Sequence, residues 1–154
     1  MARFEPPPGD PGPHGPEAAA TPTPGVRAVL VALDALIDDR VWPELGPITV
    51  GHGGGSALVR LPHRLEPDLD LEVEIGDRRI RVRYPPEEIS FTNPDEAVRF
   101  VAMLGDGRVE LEIRRSAWAT MSSFRDGLPV PFRRSRMPWP TLRPRIERRR
   151  FGFG

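Results

Sequence analysis

The chain has 154 residues, with 22 basic and 22 acidic side chains and no cysteine; every basic residue is arginine. Absence of cysteine excludes disulfides, thiolate zinc sites and thiol nucleophiles, and absence of lysine excludes Schiff-base chemistry and a phosphate-binding P-loop lysine. The zero net charge conceals a split, since residues 1–125 carry 20 acids against 14 arginines, near −6, whereas residues 126–154 carry Asp126 and Glu147 against 8 arginines, near +6.

Residues 1–25 hold eight prolines and four glycines with almost nothing to bury, which predicts a disordered leader whose ordering entropy nothing offsets. From Val26 the apolar residues Val29, Leu30, Leu33, Leu36, Ile37 and Val41 recur on one helical face, opposite Arg27, Asp34 and Asp38, until Pro43 ends the pattern. This run contains Arg27 and Asp34 and falls short of the ~20 apolar residues a membrane span needs, so a soluble, cytoplasmic protein is expected. Two short strands, 48–50 and 57–61, follow around the loop His52-Gly53-Gly54-Gly55. That loop resembles the HGGG oxyanion loop of lipases, but no G-x-S-x-G nucleophile turn accompanies it, so a plain glycine loop is the expectation.

Residues 66–75 alternate acid with apolar residue, and residues 78–84 alternate arginine with apolar residue. Gly76-Asp77 between them predicts a type II′ hairpin that places Glu74 opposite Arg79, Glu72 opposite Arg81 and Asp70 opposite Arg83 on one face. Val73 and Ile80, Leu71 and Val82, and Leu69 and Tyr84 then share the core face. The alternating acids Asp68, Asp70, Glu72 and Glu74 lie nearly 7 Å apart along a strand face, too far to close on one hard cation, so an ion-pair ladder is expected rather than a metal site. The three histidines, His14, His52 and His63, lack partners at ligand spacing, and no catalytic residue, metal or cofactor is expected.

A short strand at 89–91 leads to the clearest helix start, with Asn93 as N-cap, Pro94 as first helical residue and Glu96 at the capping-box position, and the helix ends at Gly105. Residues 108–114 alternate with Val109, Leu111 and Ile113 inward and are expected beside the charge ladder, while residues 116–124 read as either helix or strand. The fold expected is α+β, a small antiparallel meander packed by two helices on one face, with the domain at residues 26–127 and an extended Arg/Pro-rich tail at 128–154.

The tail carries Arg133, Arg134, Arg136, Trp139, Arg143, Arg145, Arg148, Arg149 and Arg150, then Phe151 and Phe153. Arginines interleaved with aromatics suit an acidic protein surface, and equally phosphates with base stacking; a solvated tail folded over its own acidic body is the plain alternative. Its apolar residues are widely spaced, so the tail is expected to be dispensable for folding and necessary for binding. Finally, Ile89-Ser90-Phe91-Thr92-Asn93-Pro94-Asp95-Glu96-Ala97-Val98-Arg99-Phe100, with the Gly-Asp-Gly turn and Val109-Glu110-Leu111 after it, resembles the strand, capped helix, strand unit of small actinobacterial immunity-type proteins that neutralise secreted toxins. That resemblance implies a partner-binding protein. Together with the arginine-rich tail, the expectation is a non-enzymatic protein that binds an acidic protein partner, with a nucleic-acid or ribonucleoprotein accessory factor as the alternative and an enzyme as the remote one.

Overall fold

The computed structural model describes residues 21–85, 87–115, 120–124 and 145–154. Helix α1 spans Pro24–Asp38 and helix α2 spans Pro94–Gly105. Strands β1 (Thr49–Gly53), β2 (Ser56–Leu61), β3 (Leu71–Ile75), β4 (Ile80–Tyr84) and β5 (Glu87–Phe91) form a five-stranded antiparallel meander in sequence order. Strands β6 (Glu110–Arg115), β7 (Thr120–Phe124) and β8 (Arg145–Arg150) form a second sheet in the order β7-β6-β8. The α+β class and the meander agree with the sequence reading.

Both helices start where local chemistry lets them. Thr23 caps α1, its Oγ1 accepting the Val26 N–H at 3.4 Å, and Pro24 supplies a helical φ and no orphan donor. The helix therefore begins two residues before the expected domain boundary at Val26, while residues 1–20 of the leader lie outside the described residues. Asn93 caps α2 as expected, its Oδ1 accepting the Asp95 N–H at 3.0 Å. Asn93→Ala leaves that donor unsatisfied and is expected to lower stability by ~1 kcal/mol, read by denaturant titration; an unchanged midpoint would refute the cap.

The hairpin register differs from the expected one. Ile75 pairs with Ile80, Glu74 with Arg81, Val73 with Val82 and Glu72 with Arg83, so the loop is Gly76-Asp77-Arg78-Arg79 and the register lies two residues from the II′ version. A II′ turn needs positive φ at its first central residue, and Gly76 does not adopt it; positive φ occurs only at Gly54, Gly55 and Gly107 among the described residues. Asp77 is instead engaged by α1, accepting from Thr23 Oγ1 at 2.6 Å. Because a strand's side chains repeat every two residues, this slip changes every partner and leaves every face as read. The tight hairpin lies one turn earlier: Gly54 and Gly55, with φ of 57° and 82°, form the two-residue link between β1 and β2, as a type I′ turn requires. The glycine run after His52 is thus a strand turn.

Residues 67–69 form a single 3-10 turn, and Asp70 leaves the ladder, its carboxylate accepting the His63 N–H at 2.7 Å. Strand β6 does not extend the ladder; it belongs to the second sheet, with Val109, Leu111 and Ile113 buried as read. Residues 120–124 are a strand, which settles the helix-or-strand alternative for that part.

The largest correction concerns the end of the chain. Residues 145–150 pair with β6 along its whole length, from Glu110 opposite Arg150 to Arg115 opposite Arg145. Phe151 and Phe153 then enter the core, each 1% exposed. An extended backbone puts residues two apart on one side, so the alternation Phe-Gly-Phe-Gly delivers two rings to the core and places the glycines on the other side. Gly152 passes so close to Gly107 that a Cβ on it would stand 3.0 Å from the Gly107 Cα. Phe153 packs between Trp42 and His63, with ring centroids at 5.4 and 5.8 Å, and Phe151 meets Tyr84 edge-on at 5.7 Å. The backbone closes around them: the Phe153 N–H donates to Gly105 O at 2.9 Å, and the Glu44 N–H donates to Phe153 O at 2.7 Å. The domain therefore includes 145–154, and one hydrophobic cluster joins α1, α2, the inner face of the meander, β6 and these two rings.

Tyr84 lies 3% exposed in this cluster and is the sole tyrosine of the chain. Burial, and secondarily the charge of Glu87, push its hydroxyl well above the ordinary 10.0. Above pH 10 the unfolded chain releases this proton while the folded chain holds it, so the contribution to stability is complete below pH 10 and declines as pH rises further. Phenolate absorbance is expected to appear only with alkaline unfolding and to titrate near 10.0 in denaturant. Native-state titration at the ordinary value would contradict the burial.

Candidate protein-docking face

The alternation in β2–β5 turns one set of side chains to the core and leaves the other on the outer face of the meander. In register, Arg60, Glu72, Arg83 and Glu88 form one row across four strands, and Leu58, Glu74, Arg81 and Ser90 form the next. Glu72 sits between two guanidiniums, 3.0 Å from Arg60 Nε and 2.8 Å from an Arg83 terminal nitrogen. Arg83 reaches onward to Glu88 at 3.2 Å, and Arg81 contacts Glu74 at 3.4 Å. The Glu88 hydrogen bond and then the Glu72 charge hold the Arg83 guanidinium above its ordinary pKa, so it stays charged. Exposed pairs of this kind contribute tenths to about 1 kcal/mol each.

These rows border a cleft of about 530 Å³ whose lining includes three arginines, Arg60, Arg81 and Arg83, and three acids, Glu72, Glu74 and Glu88. Its charges are matched, so it presents alternating sign, as an ion-pair ladder of Glu72 and Glu74 with arginines requires. Gly51 and Gly53 of β1 contribute bare backbone at one lip, with Leu58 beside them. Among the described residues no group of three histidine, aspartate or glutamate side chains gathers as a metal site.

The two described histidines have different settings. His63 is 9% exposed, and its Nδ1 accepts the backbone N–H groups of Leu65 and Glu66 at 3.2 and 3.0 Å, which makes it a structural residue holding the turn before Pro67. His52 is half-buried on β1, its Nδ1 without a hydrogen-bond partner among the described residues.

The tail residues separate into three groups. Arg133, Arg134, Arg136, Trp139 and Arg143 lie outside the described residues. Arg145, Arg148, Arg149 and Arg150 lie on β8, where Arg148 contacts Glu112 at 3.6 Å. Arg149 is only 15% exposed; it pairs with Glu147 at 2.7 Å and donates to Pro85 O at 2.9 Å, tying the second sheet to the meander. Phe151 and Phe153 are core residues and cannot meet a partner. The signal that separates them from the rest of the tail is their glycine-spaced alternation, which reads as strand. The cleft is not legible in the sequence, because its rows depend on the register and on a fourth strand bringing Glu88 beside Arg83.

Among the described residues no helix is long and apolar enough to cross a membrane. No protein-family model, no curated protein and no solved structure matches this chain.

Proposed function

We propose that this chain is a non-enzymatic protein-binding protein that docks a partner on the outer face of its five-stranded sheet. The observation that carries the reading is the row Arg60-Glu72-Arg83-Glu88 with Glu74 and Arg81 beside it, uncovered among the described residues, a field of alternating charge around a cleft. Such a pattern contributes little to stability and much to partner selection, because a misregistered partner meets like charges. Arg133, Arg134, Arg136, Trp139 and Arg143 belong to this reading as an arm that grips acidic parts of the same partner through guanidinium forks. An adaptor or immunity-type role fits these features, and a cysteine-free chain suits the cytoplasm.

The nucleic-acid reading is weaker. Of the tail rings Trp139, Phe151 and Phe153 that could stack on bases, the two phenylalanines are buried, which leaves Trp139.

The test exchanges the charges of one pair, Glu74→Arg with Arg81→Glu, which keeps the ion pair and the net charge while inverting the pattern presented outward. Proteins captured from host lysate by the native chain are then quantified with the exchanged chain, at matched thermal stability. Loss of a stoichiometric partner supports the reading, and capture that survives this exchange and a second one at Arg83 and Glu88 overturns it.

A further inference from the structure

Strand β1 ends the meander, and among the described residues no strand pairs with its other edge. Gly53 and Ser56 close the two-residue turn, so they form a hydrogen-bonded pair, as do Gly51 with Leu58 and Thr49 with Arg60 by alternation. The N–H and C=O groups of Val50 and His52 therefore point to the free edge. Edge strands are normally defended by charge, proline or a bulge. The edges of β5 and β8 are defended in this way, by Glu87 and Glu88 and by Arg145, Arg148, Arg149 and Arg150. Strand β1, Thr-Val-Gly-His-Gly, has no charged residue, no proline and no bulge against β2.

We infer that a second copy of this chain adds antiparallel to the free edge of β1, centred on Gly51, to make a symmetric dimer with one continuous ten-stranded sheet. The symmetry selects the occupant. Centring on Gly51 pairs all five residues of both strands, sets Val50 opposite His52 of the other copy twice over, and lets the four outward backbone groups of each copy bond reciprocally. A foreign strand is read through its side chains as well as its backbone, and Gly51 and Gly53 present no side chains of their own to read it, whereas a second copy matches the edge by symmetry. The charges agree as well, because the ion-pair rows end on β1 at Thr49 and Gly51. Joining two copies thus brings no like charges of the described strands together and places Leu58 of each beside the paired glycines. The two clefts, each with Gly51 and Gly53 at its lip, then merge across the two-fold axis.

Gly51 gives a direct test, because a Cβ there meets nothing within 4 Å and its substitution leaves the monomer intact. In the dimer, Gly51 and its symmetry mate form a non-hydrogen-bonded pair with Cα atoms about 4.5 Å apart, within disulfide range. Gly51→Cys, the sole cysteine of the variant, is expected to form a covalent dimer in glutathione buffer at least about tenfold faster than Ser90→Cys on the opposite edge strand. Sedimentation of the native chain should show the mass rising from 17.2 kDa towards twice that value with concentration. Gly51→Lys, which opposes two ammonium groups on the axis, should remain at the monomer mass. A native chain that stays monomeric at its highest soluble concentration, with Gly51→Cys no faster than Ser90→Cys, overturns the inference. So does a dimer that persists in Gly51→Lys, which assigns association to another surface, or a foreign partner whose capture that variant abolishes while the native chain never self-associates.

Discussion

Phe153→Ala is expected to lower unfolding free energy by about 3–5 kcal/mol, the range for removing a fully buried aromatic ring without collapse of the cavity. The ring contacts Trp42 and His63, and the segment bearing it is held by hydrogen bonds to Gly105 and Glu44. Collapse is restricted from two sides. Trp42 is fixed by its Nε1 donating to Asp106 Oδ1 at 3.0 Å, and a Cβ on Gly105 would overlap the Trp42 ring, so the indole and the end of α2 are already in close contact. Phe151→Ala is expected to cost a similar amount through Tyr84 and Phe100, which meet ring to ring at 5.4 Å beneath it. Domains of this size are stable by only about 5–15 kcal/mol, so deleting residues 151–154 should abolish the cooperative transition in urea. Arg150→Ala, on the exposed side of β8, should change the midpoint little. A truncated chain that melts like the native one would return these residues to the role of a dispensable arm.

The second large effect lies in the meander. Val73 is 1% exposed, with Val59 and Val82 directly opposite on the neighbouring strands. Val73→Asp buries a carboxyl with no donor among those valines, which costs several kcal/mol whether the group remains charged or takes up a proton. Glu72→Thr, one residue away, removes contacts to Arg60 and Arg83, whose side chains are 60% and 52% exposed and regain water; a loss of about 1 kcal/mol is expected. Denaturant titration of the pair measures the contrast. Equal losses would refute the assignment of the two faces.

That experiment reads faces and is blind to register, which marks where sequence information ended for this protein. Period-two alternation in residues 69–75 and 80–84 determined which side chains are buried, because burial depends only on parity along a strand. The Asn93-Pro94 cap and the helical spacing of Val26, Val29, Leu30 and Leu33 were equally local, and both helices form on those signals, although α1 stops at Asp38 and leaves Val41, expected on its apolar face, 91% exposed. Partner choice was not local. Two registers differing by two residues bury the same side chains, and selection between them involved the φ of Gly76 and the bond from Thr23, 54 residues away, to Asp77. The same reason explains the misread tail. Composition shows arginine and proline with sparse apolar residues, but the receptor for Phe151 and Phe153 is assembled from Trp42, His63, Tyr84 and Gly105, segments that come together only when the meander and α2 have folded. Burial of a ring depends on the cavity that receives it, and that cavity is a property of tertiary structure.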